Sequence, residues 1–317
     1  MAITLEKAEE ELSILLKKEK LCIFAGSGVS VNSPSSLPTW DGFIDKYKEI
    51  CKKLCKLNNL DNFDNIINDV DDFKKHDLLA TITALRDIVA NFENNDVSKS
   101  YYNKQMLKLF ANREYNNYHK AIVNTNYKYI LTTNYDTLLE DVADDNEYYD
   151  LFKRCYNHDN INKISEAIYK NESAIIHMHG TFDNIRASEF ILTKEDYKQI
   201  KDKNPGFRTL MNSIFLNYSI LFVGYGSSDP HLEDIIDDIN YSLKWNYSGC
   251  ELELPHYYLL IKKERLSPIF DHIKDKNRTK VIPVDKYEDM LKLLERLQRK
   301  HPRQKHGGHI VPVTGIA

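Results

Sequence analysis

The stretch "YKYILTTNYDTLLEDV", residues 127–142, combines a strand, a polar turn and the start of a helix. The run "YKYI" predicts a β-strand, and "TLLEDV" predicts the beginning of an amphipathic helix. Between them, "LTTNYD" places the amide side chain of Asn134 where the strand ends. A strand that leads directly into a helix is the repeating unit of a parallel α/β sheet. The stretch therefore indicates the fold class and poses the question of what an asparagine does at a strand exit.

Short apolar strands alternate with amphipathic helices along the rest of the chain. Further strands are predicted at "KLCIFAGSG", "SAIIHMHG", "SILFVGYGSSD", "HYYLLI" and "KVIPV", and helices at residues 5–19, "NPGFRTLMNSIFLN", "PHLEDIIDDINYSL" and "YEDMLKLLERLQRK". This alternation is typical of an α/β fold with a doubly wound, mostly parallel, Rossmann-like sheet. In such a sheet, ligands bind beyond the carboxyl ends of the strands, near the point where the strand order reverses.

A helical insertion is predicted after the first strand, over about residues 41–118. Three apolar stripes at helical spacing fall within or close to it, formed by Phe43, Ile44, Tyr47, Cys51, Leu54 and Cys55; by Phe63, Ile66, Ile67 and Val70; and by Leu78, Leu79, Ile82, Leu85, Val89 and Phe92. We expect an all-helical lid or interaction element outside the sheet, whose stripes also offer surface for self-association. Residues 1–300 then form one domain, and residues 301–317 a C-terminal tail.

Charge and composition exclude several classes of protein. The 317 residues carry a formal net charge of −4, which argues against a dedicated nucleic-acid binder. The longest apolar runs are too short to span a membrane, and the amino-terminal residues lack the pattern of a signal peptide. The cysteines are odd in number and lack C-x-x-C spacing, so we expect a reduced, cytoplasmic protein without a zinc module, in which Cys51 and Cys55 pack as small apolar residues.

Glycine-rich turns follow two of the predicted strands. In "FAGSGVS", Gly26 and Gly28 would let the backbone approach a phosphate, Ser27 and Ser30 would add hydroxyls, and a helix start would aim free N–H groups at the anion. A tight strand exit without a ligand is the alternative, because this run lacks the third glycine of a dinucleotide fingerprint. A second such turn in "VGYGSSDP", with the residues Gly224, Gly226, Ser227, Ser228, Asp229 and Pro230, suggests the other half of a nucleotide site.

An asparagine and a histidine follow two other strands. Asn134 can donate and accept hydrogen bonds at once, which suits ribose hydroxyls or a water molecule; the alternative is a local turn in which Asp136 caps the next helix. In "HMHG", His177 and His179 are two residues apart and could face the same side of the sheet. His179, beside a glycine, is a candidate general base. A purely structural histidine and a metal ligand remain alternatives, although no third ligand accompanies the motif.

Together, these four motifs resemble the sirtuin-like family. They are Gly26-Ser27-Gly28-Val29-Ser30, Thr133-Asn134-Tyr135-Asp136, His179-Gly180 and Gly224-Tyr225-Gly226, in the family's order. The phrases "TTNYD", "HGTFD", "LTKEDY" and "GYGSSDPHLEDI" are similar to the divergent bacterial branch found in anti-phage defence proteins. The resemblance covers roughly residues 20–300 and implies that this region is an NAD-binding catalytic domain.

The chain departs from protein-deacylating sirtuins in two respects. It has no zinc ribbon, and "VNSPSSLPTWDGF" stands where those enzymes have Pro-Asp-Phe-Arg. The resemblance therefore implies an NAD(+) glycohydrolase that needs no metal and no cofactor beyond its substrate. It implies Asn134 and His179 as catalytic residues, and an NAD site formed by Gly26, Ser27, Gly28, Ser30, Thr133, Asp136, Gly224, Gly226 and Ser227.

Two other functions are compatible with the same motifs. The first is NAD-dependent protein deacylation, and the second is non-catalytic nucleotide sensing, which would not need both Asn134 and His179. The resemblance further implies phage infection as the trigger and control by homo-oligomerisation or by an activating or inhibiting partner protein. The preference for NAD or NADP stays open at this point.

Overall fold

A seven-stranded parallel sheet forms the centre of the protein. The structure is a computed structural model that describes residues 2–60, 77–92, 94–110, 113–181, 190–225, 257–262 and 279–305. The strand order is β3-β4-β2-β1-β5-β6-β7, and every neighbouring pair is parallel. The strands are β1 Leu21–Ala25, β2 Tyr129–Thr132, β3 Cys155–Asn157, β4 Ala174–His177, β5 Ser219–Val223, β6 Tyr257–Lys262 and β7 Thr279–Val284.

The strand order reverses next to the central strand, β1. On one side of β1 lie β2, β4 and β3 in that spatial order, and after β4 the chain crosses to the other side of β1 with β5. Phe24 of β1 thus lies between Leu131 of β2 and Phe222 of β5. The predicted doubly wound, Rossmann-like sheet is confirmed, and its switch point lies where the two glycine turns leave β1 and β5.

Helices cover both faces of the sheet because successive strand residues point to opposite sides. Ile23 and Ile130 pack on one face among helical residues such as Leu12, whereas Phe24 and Leu131 pack on the other with Phe207. The helices are α1 Leu5–Lys17, α2 Trp40–Leu57, α3 Leu78–Ala90, α4 Asp96–Phe110, α5 Asn117–Val123, α6 Leu138–Asp145, α7 Tyr149–Phe152, α8 Ile161–Tyr169, α9 Lys194–Lys203, α10 Pro205–Asn217 and α11 Tyr287–Lys300.

The regular secondary structure described between residues 40 and 123 is entirely helical. The stripes on α2 and α3 bury Ile44, Leu54, Ile82 and Leu85 in a separate core that also takes in Cys51 and Cys55, as predicted for these cysteines. The stripe of Phe63, Ile66, Ile67 and Val70 lies outside the described residues. The two described stripes pack into this core, with Leu78, Leu79 and Phe92 only partly buried, so most of their surface is not available for self-association.

The insertion packs over the carboxyl edge of the sheet. Tyr135, which follows β2, belongs to the insertion's core together with Phe190 and Leu192. The ring of Tyr135 lies 6.2 Å from that of Phe43 and 5.9 Å from that of Phe110. The insertion therefore packs against Tyr135, the residue next to Asn134.

The residues after α11 pack against the segment that precedes β2. Thr125 and Pro302 form an isolated antiparallel bridge, and the Arg303 guanidinium donates to the carbonyls of Val123, Thr125 and Tyr127. Residues 306–317 of the predicted tail lie outside the described part of the chain. Among the helices that the structure describes, none is both long and apolar enough to cross a membrane.

Candidate functional site

A cavity of about 310 Å³ lies at the carboxyl edge of the sheet, beside the switch point. All four polar motifs contribute to its walls through Gly26, Ser27, Gly28, Ser30, Thr133, Asn134, Asp136, His179, Gly224 and Tyr225. Its size falls within the range of small-molecule sites. The structure thus brings together the residues that the sequence placed at separate strand ends, while Gly226 and Ser227 lie outside the described residues.

The two glycine turns contact each other directly. The N–H groups of Gly26 and Gly28 donate to the carbonyls of Val223 and Gly224, each at 2.9 Å. A Cβ on Gly26 would lie only 2.6 Å from the carbonyl oxygen of Gly224, and Gly224 itself has a φ of +65°. Glycine is required here because the backbones approach closely. The expected free N–H groups are not found at Gly26 and Gly28, since the β5 turn takes both.

Asn134 lines the cavity with a fixed amide orientation. Its Nδ2 lies 3.4 Å from the carbonyl oxygen of Gly26 and 3.3 Å from Oγ of Ser30. A carbonyl only accepts hydrogen bonds, so the atom facing it is the amide nitrogen. The other atom, Oδ1, accepts no hydrogen bond from the part of the chain that the structure describes. Oδ1 is therefore the atom of Asn134 whose hydrogen-bonding capacity is unused within the described residues.

The hydroxyl of Ser30 has all its hydrogen bonds inside the protein. Nδ1 of His119 accepts from the backbone N–H of Asn116, so the proton of this neutral ring is on Nε2, which donates to Ser30 over 3.0 Å. Ser30 also accepts from Asn134 and donates to Oδ2 of Asp136 at 3.1 Å. One donor and two acceptor positions are then used. Ser30, expected to offer its hydroxyl to a phosphate, instead fixes the amide of Asn134.

Asp136 is held from two sides. Besides the bond from Ser30, its Oδ1 accepts from the backbone N–H of Leu138, as in the predicted turn that starts α6. Burial raises the pKa of Asp136 from its ordinary 3.8 to about 6, against the lowering effect of the Leu138 N–H. Both oxygens serve the protein, which favours the capping interpretation of this residue over direct contact with a ligand.

The two histidines of "HMHG" face different surroundings. Strand β4 ends at His177, and His179 lies in the turn beyond it, where it lines the cavity with its ring 5.2 Å from that of Tyr197. His177 is not among the cavity residues; it contacts the main chain of Asn134 and the carboxylate of Glu140. The expectation of a shared face is wrong because the strand ends between the two residues and the i, i+2 rule no longer applies.

The protonation of His179 is set mainly by its burial. Burial, followed by the nearby His158, lowers the pKa of His179 to about 3. The ring is therefore neutral at neutral pH and is able to accept a hydrogen bond.

Sequence reasoning missed the aromatic wall of the cavity and the internal partners of the motifs. Trp40, Phe43 and Phe110 of the insertion line the cavity, with Trp40 and Phe43 stacked at 5.5 Å. His119 and Glu140 support the site without lining it. The pattern "NNYH", with Asn116 capping α5 and His119 at its third position, is a cap signature but does not reveal the contact with Ser30. Within the described ranges, no group of three or more His, Cys, Asp or Glu residues is arranged as a metal site.

Comparison with known proteins agrees with the motifs. The family profile of a SIR2-like domain matches residues 128–278. The chain is 24% identical to NAD(+) hydrolase ThsA of Cytobacillus dafuensis and 23% identical to that of Enterococcus faecium, over 96% and 93% of its length, respectively. It is 21% identical to Defense-associated sirtuin 2 of Bacillus subtilis over 72% of its length, which is 20% of that protein. The chain spans 58% of each of the two NAD(+) hydrolases.

Proposed function

Since the profile of a SIR2-like domain matches residues 128–278, we propose that the chain is a divergent sirtuin-like protein and an NAD(+) glycohydrolase, which cleaves NAD to nicotinamide and ADP-ribose. The observation that supports this most directly is Asn134, which lines a cavity to which all four family motifs contribute and whose Oδ1 accepts no hydrogen bond from the described residues. The names of the similar NAD(+) hydrolases point to the same substrate.

We assign the cavity residues as follows. The ribose next to nicotinamide binds near Asn134 and His179, with Oδ1 of Asn134 accepting from a ribose hydroxyl or from the attacking water. The pyrophosphate lies over the turn of residues 26–30, where Ser27 is half-buried, and the turn after β5 serves the adenosine half. The aromatic wall of Trp40, Phe43 and Phe110 offers flat apolar faces to a base.

The chemistry is the cleavage of one glycosidic bond. The bond between C1′ of the ribose and the nicotinamide nitrogen breaks, and nicotinamide leaves as a neutral molecule with the electron pair. The oxocarbenium-like C1′ takes the oxygen of a water molecule, and one proton passes from this water to the solvent. The site residues have to orient the water and the ribose, and they have to assist the removal of this proton.

His179 accepts the hydrogen bond that aligns the water or ribose hydroxyl. With a pKa of about 3 the ring is a weak base, so it holds the proton only briefly before releasing it to the solvent. Such a base suffices because the cation at C1′ reacts readily with an oriented water molecule. No step requires a metal ion or a further cofactor.

In a bacterial cell this activity would deplete NAD and stop growth. We propose that the protein is a regulated effector of anti-phage defence and that it acts in the cytoplasm. The name of one relative, Defense-associated sirtuin 2, points to a role in defence for that protein. Its activity must then be restrained until infection, through homo-oligomerisation or through a partner protein.

Incubation of the purified protein with NAD, followed by chromatography, tests the proposed activity. We expect nicotinamide and ADP-ribose in equal amounts, and their loss in Asn134→Ala with an unchanged melting temperature. Asn134→Asp, which keeps an oxygen but loses the Nδ2 donor, is the matched variant. The proposal would be contradicted if NAD were cleaved only when an acetylated peptide is present and becomes deacylated. Full activity of a folded Asn134→Ala would also contradict it.

A further inference from the structure

A buried histidine and a buried glutamate lie directly behind Asn134. Nε2 of His177 is 2.5 Å from Oε1 of Glu140, and the two side chains are 1% and 8% exposed. Nδ1 of His177 is 3.0 Å from the main-chain carbonyl oxygen of Asn134. Neither residue lines the cavity. The pair therefore contacts Asn134 from the protein side.

The two contacts of His177 fix the number of protons in the pair. The carbonyl of Asn134 can only accept, so Nδ1 of His177 must carry a proton. A neutral ring would then turn the lone pair of Nε2 toward the carboxylate of Glu140, and two acceptors would face each other at 2.5 Å. One further proton must lie between Nε2 and Oε1, whether it belongs to an imidazolium or to a carboxylic acid.

We propose that His177 and Glu140 are a positioning pair for Asn134, in which one shared proton keeps the ring bonded to the main chain of Asn134 and so keeps its side chain in place for catalysis. The catalytic part of this inference rests on the proposed NAD hydrolysis. The pair fixes the backbone of Asn134, whereas Ser30 and Gly26 fix its amide nitrogen. Asn134 is thus held through its backbone carbonyl and through its amide nitrogen, whereas Oδ1 accepts no hydrogen bond from the described residues.

Loss of the shared proton would break this arrangement. Burial alone would lower the pKa of His177, but Glu140, the Asn134 carbonyl and the charge of Asp136 raise it overall. Oε2 of Glu140 accepts no hydrogen bond from any described residue, so His177 is its partner in this part of the chain. As the pH rises through the raised pKa, Nε2 and Oε1 repel each other and the ring must turn away from Asn134. Activity should therefore fall on the alkaline side.

Two substitutions of Glu140 separate the proton from the hydrogen bond. In Glu140→Gln, the amide N–H donates to Nε2 of a neutral His177, and Nδ1–H still donates to Asn134, without any extra proton. We expect kcat at neutral pH close to that of the wild type and an alkaline limb that is absent or displaced. In Glu140→Ala the ring loses its support, and we expect kcat to fall roughly 10²-fold with little change in KM, as for a slightly misplaced catalytic group.

Glu166→Gln is the control, because Glu166 is an exposed carboxylate that pairs with Lys170 on the surface. It should leave the pH profile unchanged. An alkaline limb that persists unaltered in Glu140→Gln, or unchanged kcat in a folded Glu140→Ala, would overturn the positioning role.

A measurement without turnover keeps this test apart from that of the proposed function. In the wild type, ¹⁵N NMR should detect protons on both ring nitrogens of His177, or a proton shared with Glu140, at pH values well above the ordinary pKa of histidine. In Glu140→Gln it should detect a neutral ring. A neutral His177 beside an ionised Glu140 in the wild type at pH 7 would overturn the inference even if NAD is hydrolysed. If the wild type does not hydrolyse NAD, the proposed function fails, and the ¹⁵N shifts of the Asn134 backbone and side-chain amides then test the positioning: unchanged shifts in Glu140→Ala would overturn it.

Discussion

Oγ of Ser30 lies 3.3 Å from Nδ2 of Asn134 and 3.1 Å from Oδ2 of Asp136, so one hydroxyl joins the glycine turn after β1 to the polar turn after β2. The hydroxyl also accepts from His119, which comes from the last helix before β2. The hydroxyl of Ser30 thus brings together three residues that are 89 to 106 positions away from it in sequence. The catalytic role that we assign to Asn134 depends on this junction.

Ser30→Ala should reduce both stability and NAD turnover. It leaves the Nε2–H of His119 and one oxygen of Asp136 without their partner in a buried site, which costs about 1–3 kcal/mol for each unsatisfied group. It also frees the amide of Asn134 to rotate. Urea denaturation and steady-state kinetics measure the two effects. Ser30→Thr, which keeps the hydroxyl, is the matched variant, and a Ser30→Ala protein with wild-type kcat would show that the junction does not orient Asn134.

His179→Ala and His177→Ala should have different consequences. His179 lines the cavity, so its loss should lower kcat roughly 10²–10⁴-fold, as for a group that assists proton transfer, while the fold persists. Removal of His177 leaves the carboxylate of Glu140 buried and unpaired, which should lower the free energy of unfolding by about 3–5 kcal/mol. Melting curves and NAD turnover should be recorded together for both variants. Equal melting temperatures of the two variants would contradict this distinction.

Asp136 should make a recognisable contribution to the pH dependence of stability. Its pKa in the folded protein is raised to about 6 from 3.8, so between these values the native state binds more protons than the unfolded state. The contribution of Asp136 to stability is therefore fully present below its ordinary pKa and is lost as the pH rises through about 6. Denaturation of the wild type and of Asp136→Asn at several pH values should give a stability difference that shifts in this direction. A difference that is constant from pH 4 to pH 7 would contradict the prediction.

Assembly should control the activity. A constitutively active NAD hydrolase would kill its host, and the resting form must therefore be restrained. The described stripes of α2 and α3 are mostly buried within the chain, and the exposed side of α1 around Ile14, which is 48% exposed, is another candidate contact. Light scattering coupled to NAD turnover over a range of protein concentrations measures the effect. A monomer with high specific activity that is unaffected by dilution would argue against control by assembly.

The sequence predicted the sheet well because short apolar strands and amphipathic helices leave a local periodic signal. Strand β1, the glycine turn after it and the helix at Leu5–Lys17 all follow from residues close together in the chain. The expectation that Asn134 and His179 would be near each other was also accessible, since both follow strands of one parallel sheet.

The roles of individual motif residues depended on contacts that have no local signal. Ser30 was expected to face a phosphate, but its partners, His119 and Asp136, are 89 and 106 residues away in sequence. The same holds for Gly26 and Gly28, whose N–H groups are taken up by the distant turn after β5. The different surroundings of His177 and His179 could not be predicted because the end of β4 between them is set by tertiary packing and not by the motif itself.

The placement of the insertion limits how this protein can be shortened. Phe43 and Phe110 from the insertion lie against Tyr135, the residue that follows Asn134, and the helix that ends the segment supplies His119. Excision of residues 41–118 would leave Tyr135 with its apolar faces in water and would disturb the start of α5, which positions His119. The sheet and its covering helices alone are therefore not a minimal version of this protein, and homologues with a different insertion must rebuild the wall beside Asn134 from other residues.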